Sequence, residues 1–197
     1  SSGITCNPTD TDAYTGTVGL PMPGVEVRIL DDDGKEVATG ERGEICIRAP
    51  QVMRDYWQQE EATAQAFTKD GFFRSGDVGI MDDDGYPRIV DRLKNMLIVS
   101  GFNVFPNEIE DEVGSCDGVL EAACVGVPDA KAGEAVLLYV VKSDESCTEE
   151  TVRKYCEANL TGYKKPRYIR FIDEFPKTNV GKILHRELRT EAMKEFG

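Results

Sequence analysis

Three short polar clusters contain the residues of this sequence whose types could do chemistry. The stretch 73–77 ends in a carboxylate, Asp77, directly after a Ser-Gly step. The stretch 91–94 contains three charged residues, Asp91, Arg92 and Lys94, and a polar loop over 176–182 ends in Lys182. An ionised carboxylate accepts hydrogen bonds from hydroxyl groups, and a lysine presents a compact positive charge to an anion. Each cluster taken alone is also what an ordinary turn or surface loop contains.

Residue counts argue against several familiar catalytic centres. His185 is the only histidine and the six cysteines form no CxxC pair, so neither a zinc site nor a His-based catalytic triad is expected. Gly181-Lys182 resembles the end of a phosphate-binding loop. That motif would require Gly at position 176 and Ser or Thr at position 183, where the sequence has Pro176 and Ile183. The segment is therefore not a Walker loop.

The charge of the chain bears on its partners. The 197 residues include 23 Lys and Arg and 36 Asp and Glu, which gives a net charge of -13 at pH 7. Sequence-independent binding to nucleic acid needs a basic surface, so no nucleic acid partner is expected. The distribution is uneven, because residues 164–197 hold nine basic and five acidic side chains. This basic tail could face an anion, or it could be a solvated helix face.

Hydropathy and cysteine placement predict a cytoplasmic protein. The longest apolar run, 135–141, is far shorter than the roughly 20 residues of a membrane helix, and no signal-peptide pattern is present. Cys46 and Cys124 lie inside apolar, strand-like runs. Buried thiols in a reducing compartment therefore fit the pattern better than a disulfide framework.

The first half of the chain predicts a β-meander. Apolar and polar residues alternate over much of 24–48, with Asp33-Gly34 suited to a tight hairpin turn. Further elements are predicted in chain order: a helix over 60–67, strands over 72–74 and 78–81, a second hairpin turn at Asp84-Gly85, and a strand over 86–90. Isolated large apolar residues are more often core than ligand-binding, so Tyr56 and Trp57 are expected to be buried.

After Arg92 the pattern changes to alternating helices and strands, which predicts two domains, 1–91 and 92–197. Pro106 can start a helix whose apolar face carries Ile109, Val113 and Cys116. The other predicted elements are strands over 119–127, 135–141 and 168–172, a helix capped by Thr148, and a charged final helix over 186–196. The second half is thus expected to be a small α+β domain.

Taken together and in order, the polar clusters are specific. The chain resembles the C-terminal part of an acyl-CoA synthetase, in the adenylate-forming superfamily that also includes luciferases and peptide-synthetase adenylation domains. The matching stretches are 16–19, 43–48, 74–77, 91–94, 101–110 and 176–182. The resemblance is strongest to bacterial long-chain fatty acid–CoA ligases, through VSGFNVFPNEIE (99–110), LTGYKKP (160–166) and KTNVGKILHRELR (177–189).

The resemblance implies an α+β fold in two parts. Residues 1–91 would be a β-rich meander belonging to the β-barrel of the large adenylation domain. Residues 92–197 would be the mobile C-terminal lid, a short antiparallel sheet flanked by helices. Family members also carry a Ser/Thr/Gly-rich phosphate loop followed by Lys and an aromatic-Gly-x-Thr-Glu segment, and neither occurs in these 197 residues. The chain is therefore expected to be a fragment that is inactive by itself.

The implied reaction joins a fatty acid to ATP, giving acyl-AMP and pyrophosphate, and then transfers the acyl group to CoA. The implied partners are therefore a fatty acid, ATP and CoA, with Mg²⁺ held by ligands in the missing N-terminal part. Any peripheral membrane contact would also come from that part, and the fragment is expected to self-associate. Three alternatives stay open: another acyl- or aryl-CoA ligase, an adenylation domain, or a non-catalytic module that binds a nucleotide or CoA.

The resemblance also assigns roles to single residues. Lys182 matches the catalytic lysine, Asp77 and Arg92 match the pair that binds the ribose of the nucleotide, and Lys94 matches the hinge. Gly101 matches a glycine beside the pantetheine path. Weaker candidates for binding the CoA phosphates are Lys164, Lys165 and Arg167. The competing interpretations are a salt bridge across the domain junction for Asp77 and Arg92, a solvated lysine for Lys182, and a plain turn glycine for Gly101.

Overall fold

The computed structural model describes residues 3–9 and 16–197. The chain divides into two compact units, Ser1–Lys94 and Asn95–Gly197. Their hydrophobic clusters are separate, because no cluster contains residues of both units. Each unit is therefore described by itself.

The first unit is built on an antiparallel meander. Its elements are β1 (Thr5–Cys6), β2 (Leu20–Pro21), β3 (Glu26–Leu30), β4 (Gly43–Arg48), α1 (Glu60–Ala66), β5 (Phe73–Met81) and β6 (Pro87–Arg92). Strands β3 to β6 pair in sequence order as a four-stranded sheet, and β1 pairs with β2. The predicted meander, the helix and both hairpin turns are confirmed. Within the described residues the sheet is open, with β3 and β6 at its edges.

Strand β5 is longer than the sequence pattern indicates. The two predicted strands, 72–74 and 78–81, form one element interrupted by a shift in its pairing with β4. Gly76 lies at this irregularity with a φ of +74°, a backbone conformation that glycine adopts without steric cost. The Ser-Gly step that reads as a loop in the sequence is therefore a bulge inside a strand.

In the first unit Phe72 is buried, whereas the aromatic pair expected in the core, Tyr56 and Trp57, is exposed. Trp57 is 82% exposed and Tyr56 is 42% exposed, so the prediction that they lie in the core is wrong. Both precede α1 in a loop where Gln58 has a φ of +55°, and no regular element directs them inward. Phe72 packs with Leu30 and Cys46, and the guanidinium groups of two arginines lie over its ring.

The second unit is a mixed α+β domain, as predicted. Its elements are β7 (Leu97–Val99), β8 (Phe102–Val104), α2 (Pro106–Gly114), β9 (Val119–Asp129), β10 (Gly133–Lys142), α3 (Glu149–Asn159), β11 (Tyr168–Phe171) and α4 (His185–Phe196). The sheet order is β11-β10-β7-β8, with β9 also paired to β10. All these pairs are antiparallel except β10–β11, which is parallel.

The β9–β10 hairpin is buried on both faces, which explains its nearly continuous apolar sequence. One face packs with α2 and α3 in a cluster that includes Ile109, Leu138 and Val152. The other face packs with α4 in a cluster that includes Leu137 and Leu188. No helix in the described part of the chain is long and apolar enough to cross a membrane. The hairpin is thus the central layer that fixes the helices and the loops between them.

Candidate functional site

In the first unit, the structure brings Asp77 and Arg92 together. The two residues are register partners on β5 and β6, and Arg92 Nε lies 3.0 Å from Asp77 Oδ1. The Asp77 side chain is 25% exposed and the Arg92 side chain 59% exposed. The carboxylate is therefore oriented by a neighbour within its own unit and still reaches solvent.

A buried glutamate fixes the backbone directly before Asp77. Glu44 is 7% exposed, and its carboxylate accepts hydrogen bonds from Arg74 Nη1 at 2.7 Å and from the backbone N–H of Gly76 at 3.1 Å. Ser75 Oγ accepts from the backbone N–H of Asp77 at 3.0 Å. No motif predicts a role for Glu44, although a charged residue at the start of an apolar strand is a usable signal. Its contacts hold the bulge that presents Asp77.

Lys94 and Gly101 both lie in tight turns. Lys94 is exposed in a 3₁₀ turn over Leu93–Asn95, and it is the last residue of the first unit. Gly101 joins β7 to β8 with a φ of +82°, after Ser100 at +53°. This two-residue hairpin turn requires positive φ at both positions, so the turn itself accounts for glycine. Nothing lies within 4 Å of where a Gly101 Cβ would be, so the surface beside the turn is open.

An aromatic stack stands next to this turn, and sequence reasoning did not identify it. The rings of Phe102 and Tyr163 are 4.5 Å apart and nearly parallel, at 9°. Phe102 is 53% exposed. Offset stacking of this kind stabilises the contact between two elements. It connects the β7–β8 hairpin to the segment that carries the three candidate CoA-binding residues.

Those three basic residues contact three different elements. Lys164 Nζ lies 2.6 Å from Glu108 on α2, and Lys165 Nζ donates to the Glu157 carbonyl of α3 at 3.0 Å. Arg167 forms an ion pair with Asp129 at the end of β9. The backbone N–H groups of Ala132 and Lys131, together with Arg167, lower the pKa of Asp129 below its usual value. The structure therefore ties each of these basic side chains to a partner within the fold.

Lys182 lies in a well-ordered hairpin loop. Thr178 N–H donates to the Lys182 carbonyl at 2.8 Å, and Lys182 N–H donates to Thr178 Oγ1 at 3.1 Å. Lys177 and Ile183 form an antiparallel bridge, and Gly181 turns the chain with a φ of +79°. The Lys182 side chain is exposed, and within residues 95–197 no carboxylate forms an ion pair with its ammonium group. The loop thus displays an uncompensated positive charge on a fixed backbone.

Two side-chain contacts flank this loop, and neither was predicted. Lys177 Nζ lies 2.7 Å from Glu121 Oε1 on β9. His185, the first residue of α4, places Nε2 2.8 Å from Glu110 Oε1 on α2. Their partners are 56 and 75 residues away in the sequence, so no local pattern could reveal the contacts. Only the packing of α2, β9 and α4 brings these residues together.

No group of three or more metal-binding side chains occurs among residues 3–9 and 16–197. Asp77 is partly exposed beside Arg92 in the first unit, and Lys182 is exposed on its hairpin loop in the second. Chemically, Asp77 can accept hydroxyl donors and Lys182 can stabilise an anion.

Comparison with known proteins matches these features to one family. The family profile described as "AMP-binding enzyme C-terminal domain" matches residues 108–182, and the profile "AMP-binding enzyme" matches residues 1–57. Together the two profiles cover parts of both units. The second unit contains the C-terminal domain match and the Lys182 loop.

Curated relatives and a solved structure agree with the profiles. The chain is 53% identical to a long-chain-fatty-acid–CoA ligase of Salmonella typhimurium, over 96% of this chain and 34% of that one. It is 41% identical to a 3-[(3aS,4S,7aS)-7a-methyl-1,5-dioxo-octahydro-1H-inden-4-yl]propanoyl:CoA ligase of Rhodococcus jostii, over 95% of this chain and 35% of that one. ATP-bound MatB from Rhodopseudomonas palustris superposes with a TM-score of 0.91 at 37% identity, covering 98% of this chain and 39% of MatB.

The chain therefore spans about a third of the length of the curated relatives it matches. The resemblance inferred from the motifs is confirmed by the profiles and by the identity that extends over nearly all of the chain. This chain belongs to the AMP-binding, adenylate-forming enzymes, and it includes their C-terminal domain.

Proposed function

We propose that the chain is the C-terminal part of an AMP-forming long-chain fatty acid–CoA ligase. In the first half-reaction a fatty carboxylate oxygen attacks the α-phosphorus of ATP, and pyrophosphate leaves. In the second, the CoA sulfur attacks the acyl carbonyl and AMP leaves. The 53% identity to a long-chain ligase, against 41% to the Rhodococcus enzyme, favours a long-chain acid as the substrate.

The observation that carries the proposal is the exposed ammonium of Lys182 on its ordered loop. Negative charge gathers on the carboxylate and the α-phosphate during adenylate formation, and a preorganised cation stabilises it without reorganising. Lys182 would bridge these two groups. A lysine already paired with a carboxylate of its own domain would stabilise this charge less well. Within residues 95–197 no carboxylate pairs with the Lys182 ammonium group.

The other assignments follow the family roles. Asp77 would accept the ribose hydroxyls of the nucleotide, with Arg92 orienting it and adding a donor. Gly101 would lie beside the pantetheine path, since the space next to it is open. CoA phosphates would meet Lys164, Lys165 and Arg167 beside their present contacts with Glu108, the Glu157 carbonyl and Asp129. Mg²⁺ would be held outside this chain, in the part of the ligase that carries the phosphate loop.

Substitution of Lys182 in the full-length ligase tests the proposal. Lys182→Ala should lower pyrophosphate release about 100- to 1000-fold, the range seen when one group that stabilises a developing anion is removed. Conversion of supplied acyl-AMP to acyl-CoA should change little, because the charge that Lys182 stabilises develops only in the first half-reaction. Lys194→Ala is the matched control, since Lys194 is an exposed lysine of α4 paired with Glu191. Equal loss in both half-reactions would refute the role of Lys182.

We also propose that the 197 residues alone do not make acyl-CoA, because they contain neither the phosphate loop nor the Thr-Glu segment of the family. A coupled pyrophosphate assay should show no turnover above a Lys182→Ala control. Turnover clearly above that control would show that the active site is complete.

The partners and location proposed for the ligase follow from the same reaction. A fatty acid, ATP and CoA are its substrates, and the burial of five of the six cysteines, none of them in a disulfide, favours the cytoplasm. The first unit has a three-residue buried cluster and exposes Trp57 and Ile89. Apolar surface of this kind favours association, so the chain should sediment as more than a monomer at micromolar concentration. A strictly monomeric chain would contradict this expectation.

A further inference from the structure

We propose that Glu110 and His185 are positioning residues that hold the Lys182 loop in place for adenylate formation. The inference rests on the proposed function of Lys182 and adds two residues to which that function gives no role. Neither side chain is proposed to touch a substrate. Both act through the backbone that carries Lys182.

Glu110 connects three elements with one carboxylate. It lies on α2 with its side chain 12% exposed, and its Oε1 accepts the backbone N–H of Cys124 on β9 at 2.7 Å. The same oxygen lies 2.8 Å from His185 Nε2 at the start of α4. Because an ionised carboxylate only accepts hydrogen bonds, Nε2 is the donor in this pair. Glu110 therefore fixes the start of α4 against α2 and β9.

The hairpin over 176–184, which carries Lys182, is closed by its own hydrogen bonds. Leu184 N–H donates to the Pro176 carbonyl at 2.8 Å, which closes the hairpin at its base. The Lys177–Glu121 pair attaches one strand of the hairpin to β9, and the His185–Glu110 pair attaches the other to α2. Internal hydrogen bonds keep the shape of the hairpin. Its position on the domain is set by the two outer contacts together with Ile183, which packs on the cluster beneath α4.

The position of the hairpin decides where the Lys182 ammonium reaches. A misplacement of about 1 Å in a reacting group can cost on the order of 100-fold in rate. His185 is three residues from Lys182 in the chain, so the His185–Glu110 contact lies close to the proposed catalytic ammonium group. The rest of α4 is held independently, because Leu188 and Ala192 are buried in the domain core. Loss of the His185 contact should therefore loosen the loop without unfolding the helix.

The test compares four variants of the full-length ligase in both half-reactions. His185→Ala should lower the kcat of pyrophosphate release about tenfold while the KM for ATP and the second half-reaction change less than about threefold. His185→Gln should restore most of the rate, because the glutamine amide can place an N–H donor near the position of Nε2. Arg170→Ala is the matched control, since Arg170 pairs with Glu195 at the other end of α4. Lys182→Ala reports on the proposed function itself.

A second measurement uses the 197-residue chain. Amide hydrogen exchange of a peptide covering 176–184 should be faster in His185→Ala than in the unsubstituted chain, and unchanged in Arg170→Ala. Exchange within β10 should be the same in all of these proteins, which separates loop release from general destabilisation.

The outcomes are distinguishable. If Lys182→Ala abolishes adenylate formation while His185→Ala behaves like Arg170→Ala, the positioning role is wrong and the proposed function stands. If His185→Ala slows both half-reactions equally, or His185→Gln fails to restore the rate, the contact has only a structural role. If Lys182→Ala leaves pyrophosphate release unchanged, the proposed function fails and the inference fails with it.

Discussion

Asp77 and Arg92 are register partners on neighbouring antiparallel strands, and their side chains meet at 3.0 Å. They are 15 positions apart in the sequence, with the hairpin turn between β5 and β6 lying between them. Glu44 and Ser75 accept hydrogen bonds from the backbone of the bulge from which Asp77 projects. Arg92 orients the Asp77 carboxylate. The pair is thus built within one unit.

Asp77→Asn in the full-length ligase should raise the KM for ATP about tenfold. Asparagine keeps the shape of the side chain but loses the negative charge and replaces one acceptor oxygen with a donor, so it cannot accept one ribose hydroxyl on each of two oxygens. The thermal midpoint should change little, because exposed ion pairs contribute about 0–1 kcal/mol. Initial rates across ATP concentrations, together with a melting curve, check this. A lower midpoint with an unchanged KM would support the simple salt-bridge interpretation instead.

Lys94→Pro should slow thioester formation more than pyrophosphate release. Proline fixes φ near -65°, and residue 94 lies in the short 3₁₀ turn at the end of the first unit. If this residue is the hinge, a restricted torsion impairs the movement between half-reactions. Lys94→Ala removes the side chain and keeps backbone freedom, so it should retain both activities. Loss of pyrophosphate release with intact thioester formation would reject the hinge assignment.

Five of the six thiols should resist modification in the folded chain. Cys6 is exposed, whereas the other five cysteines are buried. Burial raises the pKa of the Cys46 thiol to about 12 and that of Cys156 to about 11. At pH 8 the reactive thiolate is therefore scarce at these positions, and it increases only as the pH rises toward those values. A disulfide-exchange reagent should detect one fast thiol in the folded chain and none in folded Cys6→Ser. After denaturation, the unsubstituted chain should show six. Two or more fast thiols in the folded chain would contradict the burial of the other five cysteines.

Residues 95–197 should fold without the rest of the chain. Both of their hydrophobic clusters are formed entirely from residues of this segment. Urea should unfold the segment in one cooperative transition with a slope of about 1–3 kcal/mol per M. Leu138→Ala, at a fully buried position, should lower the free energy of unfolding by about 2–5 kcal/mol.

The matched control for that substitution is Leu120→Ala, because Leu120 is 62% exposed. Its effect should stay within about 0.5 kcal/mol. A broad, non-cooperative transition of residues 95–197, or equal effects of the two leucine substitutions, would show that the segment depends on the preceding residues for its core.

Elements that depend on local patterns can be predicted from the sequence alone. Thr148 was predicted to cap α3, and its Oγ1 accepts the backbone N–H of Thr151. Pro106 begins α2, whose buried face includes Ile109 and Val113 as predicted. Such features depend on residues within one or two turns of each other, so a linear reading can detect them. The motifs also identified the family, since each is a short run of adjacent residues.

The residues that support the candidate site are brought there by long-range packing, which no local pattern reveals. Glu44 lies 32 positions from Gly76, whose backbone N–H it accepts, and Glu110 lies 75 positions from His185. Trp57 was expected inside and is exposed, whereas the Phe72 ring is enclosed by two arginines from other strands. Burial and ion pairing depend on which surfaces meet when β-strands and helices pack. The type of a residue limits whether its side chain can be buried or ion-paired. Contacts between segments that are distant in the sequence determine whether it is.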